Sequence, residues 1–401
     1  MPPRRRQAEA TAPRRWPAIL LVLAGLTMGV VLWAYAPSLP PDDLIQRYAN
    51  RNSQFIDIGG ARAHVRDEGN KDGIPIVLIH GSMGSLHMWE GWVDRLKDRA
   101  RLISVDLPGH GLTGAWPREE YTIEAYADFI EVLADTLNLD RFALVGHSMG
   151  GAVAWTFAAT RPDRVSQLIL VDSAGIPRDG DAAPLPIRLA RLPVIGDLGI
   201  WFKPEFLVKR SLAEVYADPA MVTPERVTRY AELQRFPGNR HATLLRARTQ
   251  EPLDPSVLKR LAVPTLILWG AEDRWVPRGD AFRFQSNIKG SKLALFEKLG
   301  HNPMEEDPAA TAAAVDAFLP AALTPRTEPA SKADPQRAEP TDVGADPPAD
   351  NLPEPEAKPD DQTQTEQKTD AEQKTEAGAP TAPTSAPVED NRQQQVVAPK
   401  Q

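Results

Sequence analysis

The stretch that most constrains the fold of this 401-residue chain runs from residue 142 to residue 155. It begins with the apolar run FALV, short enough for an interior parallel strand, and continues as GHSMGGAVAW. Glycines at 146, 150 and 151 remove side chains where a strand and a helix crowd a tight turn. The stretch therefore predicts a buried strand, a sharp turn with Ser148 at its tip, and a helix.

The Gly-x-Ser-x-Gly pattern in this setting is typical of a nucleophile elbow. Strained backbone holds the serine hydroxyl outward, and the amide of the next residue, Met149, can point at a developing oxyanion. Glycine and serine are common residues, so the pattern alone is weak. Its weight depends on partners elsewhere in the chain.

Composition divides the chain into a foldable part and a tail. Residues 324–401 contain no Phe, Trp or Tyr, but they have 13 prolines, 16 acidic and 8 basic residues. The tail thus carries the whole formal net charge of −8. We expect a disordered, acidic, Pro-rich spacer or an interaction tail for an unidentified protein. The charge balance gives no indication of nucleic-acid binding, and a chain with no cysteine excludes a thiol nucleophile and disulfides.

The N-terminus has the pattern of a membrane anchor. Residues 1–16 hold five arginines and one acid, and residues 17–36 form a 20-residue run without a charge. At about 1.5 Å per residue, such a helix matches a bilayer core of about 30 Å. We expect a basic cytoplasmic N-terminus, a single transmembrane helix, and the remaining chain outside the cytoplasm, in the periplasm or at the cell surface. The alternative is a secreted protein cleaved near Ala36, although Pro37 argues against cleavage.

The region after a predicted linker, residues 37–50, alternates short apolar runs with helical stretches. Gly59 and Gly60 separate the first two runs, which predicts an antiparallel hairpin. The alternation that follows predicts a mostly parallel, eight-stranded sheet with helices on both faces. The predicted strands are 55–58, 61–66, 76–79, 102–105, 142–145, 168–171, 265–268 and 293–296.

Candidate functional residues follow the carboxyl ends of these strands, where such sheets gather their chemistry. His80, Gly81 and Ser82 form a Gly-rich turn, and the amide of Ser82 is the candidate second oxyanion donor. The plainer reading of this turn is a loop with glycines for turning. Asp106 follows the next strand, and we expect it to accept hydrogen bonds from backbone amides rather than to act in catalysis.

The serine needs a base, and the base needs an orienting acid. Of seven histidines, only His301 lies in a loop after the last predicted strand. Asp273 follows the penultimate strand and gives the order serine, aspartate, histidine. Glu272 and Asp172 are rival acids, and Asp172 alternatively caps a turn.

Three motifs resemble those of the α/β-hydrolase fold superfamily over residues 55–320: His80–Gly81, the GHSMGG run around Ser148, and Gly300–His301 followed by Pro303. The resemblance is to capped members such as esterases, lipases, cofactor-free haloperoxidases and carbon–carbon bond hydrolases. Epoxide hydrolases and haloalkane dehalogenases are set aside because they use aspartate where this chain has serine. The resemblance implies a triad of Ser148, His301 and Asp273, with oxyanion amides from Met149 and Ser82.

The resemblance also implies a hydrolase core in two parts, residues 51–174 and 253–323, with a helical cap at 175–252. We expect the substrate pocket to be lined by His80, Gly81, His147, Trp201 and Phe202. Apolar cap residues suit an acyl or aromatic group, although cap-to-core packing also explains them.

The function expected from these residues is cleavage of an apolar carboxylic ester through an acyl-enzyme. A carbon–carbon bond hydrolase or a haloperoxidase-like enzyme with the same triad is one alternative. A non-catalytic, membrane-tethered scaffold is another. The sequence contains no His-Glu-x-x-His motif, P-loop or dinucleotide fingerprint, so no metal or cofactor is predicted.

Overall fold

Eight strands form one sheet in the order β1-β2-β4-β3-β5-β6-β7-β8. Strands β3 to β8 run parallel, whereas β2 is antiparallel to both β1 and β4. The predicted eight-stranded, mostly parallel sheet is therefore confirmed. The strands are β1 Ser53–Ile58, β2 Ala61–Gly69, β3 Ile74–Ile79, β4 Ala100–Val105, β5 Phe142–His147, β6 Val165–Val171, β7 Thr265–Gly270 and β8 Lys292–Phe296.

The computed structural model describes residues 16–177, 188, 190–202, 205–249 and 252–320. The predicted basic segment before Trp16 and the acidic tail at 324–401 lie outside the described residues. The α-helices are α1 Trp16–Ala34, α2 Pro41–Tyr48, α3 Glu90–Leu96, α4 Ile123–Thr136, α5 Met149–Thr160, α6 Ile195–Gly199, α7 Glu205–Val215, α8 Pro224–Leu233, α9 Asn239–Thr249, α10 Gly279–Asn287, α11 Pro303–Glu306 and α12 Pro308–Phe318.

Helices cover both faces of the sheet, as the alternating pattern predicts. On one face, α4, α5 and α10 bury aromatic side chains such as Phe129, Phe157 and Phe284 against the strands. On the other face, α3 and α12 bury Trp92 and Val315. Because helices shield both faces, the central strand β5 is buried along its whole length and can be entirely apolar before the elbow.

Helices α6 to α9 lie between β6 and β7 and form the cap. One end of the cap touches the N-terminal segment. Tyr35 pairs with Phe202 in an isolated antiparallel bridge and stacks on Trp201 at a centroid distance of 6.3 Å.

The N-terminal segment differs from the prediction in two ways. Helix α1 ends at Ala34, and within the described ranges no helix combines the length and the apolarity needed to cross a membrane. The predicted transmembrane span over residues 17–36 is therefore not supported. The predicted linker, 37–50, instead contains helix α2, whose Leu44 is buried against Leu233 of the cap. Leu44 fixes the segment because burying a leucine stabilises by about 1.5–3 kcal/mol.

Candidate active site

The turn between β5 and α5 is a nucleophile elbow. Ser148 has φ +51° and ψ −115°, a conformation that L-residues rarely adopt. The glycines around it leave no room for a side chain, since a Cβ at Gly146 would lie 2.1 Å from the carbonyl oxygen of Gly150. A Cβ at Gly150 would lie 2.5 Å from the carbonyl oxygens of Ile79 and His80. Close packing thus forces the strained serine conformation.

The structure brings Ser148, His301 and Asp273 into one hydrogen-bonded chain, called the candidate triad below. The Nε2 atom of His301 lies 3.0 Å from the Ser148 hydroxyl oxygen, and Nδ1 lies 2.7 Å from an Asp273 carboxylate oxygen. His301 and Asp273 are buried, whereas Ser148 is half-buried. This is the geometry in which an aspartate orients an imidazole that takes the serine proton.

Backbone amides hold the Asp273 carboxylate in place. Its second oxygen accepts hydrogen bonds from the amides of Trp275 at 2.7 Å and Val276 at 2.9 Å. The Trp275 ring stacks on the His301 ring at a centroid distance of 6.0 Å. The carboxylate can therefore rotate little, and its remaining oxygen faces the imidazole.

The rival acid Asp172 is buried next to Asp273. Burial and the Asp273 charge raise its pKa well above the usual range, although it accepts a hydrogen bond from the Gly270 amide at 3.0 Å. The raised pKa favours the neutral form of Asp172, and Nδ1 of His301 is hydrogen-bonded to Asp273 instead. Ligand atoms of Asp172, Asp273 and His301 lie within 4.8 Å of one another, a spacing that a metal ion could use. In the candidate triad, however, two of these groups, the imidazole and Asp273, are already hydrogen-bonded to each other at 2.7 Å.

Two amides beside the serine are available as oxyanion donors. Among the described residues, the amides of Met149 and Ser82 donate to no protein acceptor. Met149 begins α5, and the loop after β3 lies against the elbow, since a Cβ at Gly81 would lie 3.1 Å from the Ser148 Cβ. The structure therefore places the turn of Gly81 and Ser82 beside the elbow of Ser148 and Met149, as predicted.

Two predicted pocket histidines support loops rather than face a pocket. The fully buried His80 donates from Nδ1 to the Gly81 carbonyl at 2.7 Å and accepts at Nε2 from the Leu107 amide at 3.0 Å. His147 donates from Nε2 to the carbonyl of His301 at 2.7 Å. Burial lowers the pKa of both rings, so they are neutral at pH 7.

Two predicted pocket aromatics contact the N-terminal segment. Trp201 and Phe202 contact Tyr35 of the N-terminal segment, and Trp201 keeps 41% of its surface exposed. Their predicted place in the pocket depends on the fit of apolar cap residues to an acyl or aromatic group, and packing of the cap is the alternative explanation. In this chain they cover the segment that follows α1.

Two cap residues reach the site without a sequence signal. The carbonyl of Val215 in α7 accepts a hydrogen bond from the His301 amide at 2.8 Å. The guanidinium of Arg246 in α9 donates to the Met149 thioether and to the Ser82 hydroxyl. No motif marks either residue, since one contributes only its backbone and the other is one of 46 basic residues.

Known proteins share this architecture. An uncharacterised protein of Mycobacterium tuberculosis is 31% identical over 281 residues, which cover 66% of this chain and 80% of that relative. The 2-hydroxy-6-oxo-2,4-heptadienoate hydrolase of Pseudomonas putida is 28% identical over 258 residues, covering 61% of this chain and 87% of the enzyme. The solved esterase of Exiguobacterium antarcticum superposes with a TM-score of 0.55 at 24% identity, covering 65% of this chain and 96% of the esterase. A profile of the alpha/beta hydrolase fold matches residues 74–308, and the chain belongs to that family.

Proposed function

We propose that this member of the α/β-hydrolase family is a serine hydrolase that cleaves a carboxylic ester through an acyl-enzyme. The observation that carries the proposal is the unbroken hydrogen-bonded chain from Ser148 through His301 to Asp273, with the serine held in a strained elbow. A non-catalytic role for Ser148 would not need the strained backbone conformation. A purely structural serine gains nothing from a costly backbone conformation.

The first half-reaction forms the acyl-enzyme. The Ser148 oxygen attacks the ester carbonyl carbon while Nε2 of His301 accepts the hydroxyl proton. The carbonyl oxygen becomes an oxyanion that accepts hydrogen bonds from the amides of Met149 and Ser82. Collapse of this intermediate expels the alcohol, which takes the proton from His301, and Asp273 stabilises the imidazolium formed between the two steps.

Water completes the cycle. A water molecule gives its proton to His301 and attacks the acyl carbon, and the second oxyanion uses the same two amides. Release of the acid then returns the proton to Ser148. An alkoxide leaves more readily than an amine, and this difference favours an ester over an amide as the substrate.

Carbon–carbon bond cleavage is the second candidate. It is favoured by the similarity to the 2-hydroxy-6-oxo-2,4-heptadienoate hydrolase of Pseudomonas putida, at 28% identity. The same serine and base could act on a ketone carbonyl, with a carbon leaving group in place of the alkoxide. Geometry alone does not separate the two reactions, so the leaving group has to be tested.

The deciding experiment compares two substrate classes on the full-length protein. We expect hydrolysis of p-nitrophenyl esters, with no cleavage of a vinylogous 1,5-diketone that carries a 2-hydroxy-dienoate group. The Ser148→Ala variant serves as the blank for both reactions. Cleavage of the diketone without ester hydrolysis would move the assignment to carbon–carbon bond cleavage. Turnover of neither class by folded protein would favour the non-catalytic scaffold.

We also propose that the N-terminal segment attaches the chain to a membrane, with the catalytic domain outside the cytoplasm. Helix α1 has no charged residue, and its Leu21 and Trp33 side chains are 74% and 68% exposed. Apolar surface of this extent needs a lipid or protein partner. In cell fractionation we expect the protein in the membrane pellet, and protease should reach its catalytic domain from outside the cytoplasm. Recovery in the soluble fraction would contradict the proposal.

A further inference from the structure

We propose that Arg246 binds an anionic oxygen group of the substrate, a carboxylate or a phosphate, close to the scissile carbonyl. The substrate is then an acidic ester and not a wholly apolar one. This inference rests on the proposed esterase function and names the substrate class of that site. It replaces the expectation of a purely apolar substrate.

The position of Arg246 carries the first part of the argument. Helix α9 belongs to the cap, and its Arg246 side chain reaches the core on the side of the elbow. One guanidinium nitrogen donates to the Sδ atom of Met149 and the other to the Oγ atom of Ser82. These two residues supply the candidate oxyanion amides. A group that receives hydrogen bonds from Arg246 would therefore lie beside the carbonyl held by those amides.

The charge of Arg246 carries the second part. The residue is only 9% exposed, and within the described part of the chain no carboxylate forms an ion pair with it. Two other cap arginines have carboxylate partners, since Arg248 contacts Asp197 at 3.0 Å and Arg229 contacts Glu305 at 3.2 Å. The buried Arg240 instead donates to the Ala36 carbonyl and lies over the Trp201 ring. A buried cation whose partners are a hydroxyl and a thioether is costly. An anionic group of the substrate would supply the missing partner.

Among the described residues, no carboxylate acts on the pKa of Arg246, and the charged Asp106, which acts on His80 and His110, is held by hydrogen bonds from His64 and two backbone amides. The titratable groups that sense its charge are His80, His110 and Tyr126. Burial lowers the pKa of the two histidines and raises that of the tyrosine, so all three are neutral at pH 7. The guanidinium keeps its charge because arginine does not deprotonate in proteins.

The chemistry of the guanidinium selects the ligand. Its planar donors match the two oxygens of a carboxylate or a phosphate, and such charge-assisted pairs are among the strongest hydrogen bonds in proteins. A neutral ester offers no comparable acceptor at this distance from its carbonyl. Arg246 would therefore favour esters whose acid or alcohol part bears a negative group a few atoms from the reacting carbon.

The test uses matched ester pairs on the full-length protein. The carboxylate pair is p-nitrophenyl hydrogen glutarate and p-nitrophenyl valerate, which have the same chain length. The phosphate pair is a 1-acyl-lysophosphatidate and the monoacylglycerol with the same acyl chain. The wild type should have the higher kcat/KM for the acidic member of at least one pair, and that pair identifies the anionic group.

The variants are Arg246→Met, Arg246→Lys and the matched control Arg248→Met on the same helix. Arg246→Met should reduce the acidic-to-neutral preference by about 10- to 100-fold, since a charge-assisted pair is lost. Arg246→Lys should retain part of the preference because it keeps the charge but not the planar fork. Arg248→Met should leave the preference at the wild-type value. Equal losses on both members of each pair in Arg246→Met would show a cap-to-core contact and overturn the proposal.

A binding measurement separates this proposal from the esterase assignment. Glutarate or glycerol 3-phosphate should raise the melting temperature of the Ser148→Ala variant and leave that of the Ser148→Ala/Arg246→Met double variant unchanged. Such stabilisation without ester hydrolysis by the wild type would keep the anion site and discard the esterase. Hydrolysis without either a preference for acidic esters or ligand stabilisation would keep the esterase and discard the anion site.

Discussion

The chain contains a second serine–histidine–aspartate chain with nearly the same geometry as the candidate triad. The Nδ1 atom of His64 lies 2.7 Å from an Asp106 oxygen, and Nε2 lies 2.8 Å from the Ser53 hydroxyl. We call these three residues the second triad. In the candidate triad the matching distances are 2.7 and 3.0 Å. Side-chain distances alone therefore do not identify a catalytic serine.

The surroundings of the two serines differ. Ser53 begins an ordinary strand, and its hydroxyl also accepts hydrogen bonds from the Asn50 amide at 3.0 Å and from Arg66 at 3.4 Å. His64 is fully buried and stacks on Phe55. The serine of the candidate triad instead stands at a helix start, in a strained conformation, beside two unused amides. What separates the two is the backbone that would stabilise an oxyanion.

The largest contrast is expected between the two serines. Ser148→Ala should lower kcat for ester hydrolysis by roughly 10⁴- to 10⁶-fold, because it removes the nucleophile. Ser53→Ala should keep kcat within about threefold and lose about 1 kcal/mol of stability with its hydrogen bond. The measurement is kcat together with labelling by a fluorophosphonate probe. A probe adduct on Ser53, or unchanged turnover of Ser148→Ala, would reverse the assignment of the two sites.

Substitution of the two aspartates should affect different properties, catalysis for Asp273 and stability for Asp106. Asp273→Asn should lower kcat by about 10⁴-fold, because an amide no longer favours the required imidazole tautomer. Asp106→Asn should change kcat per folded molecule little, but should cost about 2–4 kcal/mol of stability. Asp106 is fully buried and accepts hydrogen bonds from the amides of Leu86 at 2.7 Å and Leu112 at 2.9 Å, besides His64. Steady-state kinetics and urea unfolding at pH 7 measure the two effects.

The stability loss of Asp106→Asn should also depend on pH. Burial alone would raise the pKa of Asp106, but the hydrogen bond and the charge of His64 outweigh it and lower the pKa. A carboxyl whose pKa is lower in the folded than in the unfolded state stabilises the fold at pH values above its unfolded pKa of about 4. This contribution is lost as the pH falls below that value. The difference in unfolding free energy between wild type and Asp106→Asn should thus be largest at pH 7 and shrink below about pH 4. A gap independent of pH would mean that shape, not charge, makes the contribution.

The sequence predicted the sheet, the elbow and the order of Ser148, Asp273 and His301 because each depends on a local pattern or on strand ends that meet at one edge. It did not predict the second triad. Its residues lie on β1, on β2 and after β4, so their meeting depends on long-range strand pairing. Such pairing leaves no fixed spacing in the sequence.

The cap was the least predictable part of the chain. Its short helices are fixed by tertiary packing rather than by their own periodicity. Trp201 is predicted to line the pocket but covers Tyr35, whereas no sequence pattern marks Arg246, which is buried at the elbow. The proline-rich sequence before β1 predicts a linker, but tertiary packing fixes a helix there, α2.

The hydrogen bond from the His301 amide to the Val215 carbonyl, at 2.8 Å, joins the cap directly to the loop that carries the imidazole. Breaking it exposes one particular amide proton to solvent. Deuterium uptake at the His301 amide therefore reports the opening of the cap next to the imidazole, and it does so without substrate. A cap that opens by lifting Val215 lets this proton exchange at a rate set by the free energy of that local opening, whereas a cap that opens elsewhere leaves it protected until the domain unfolds.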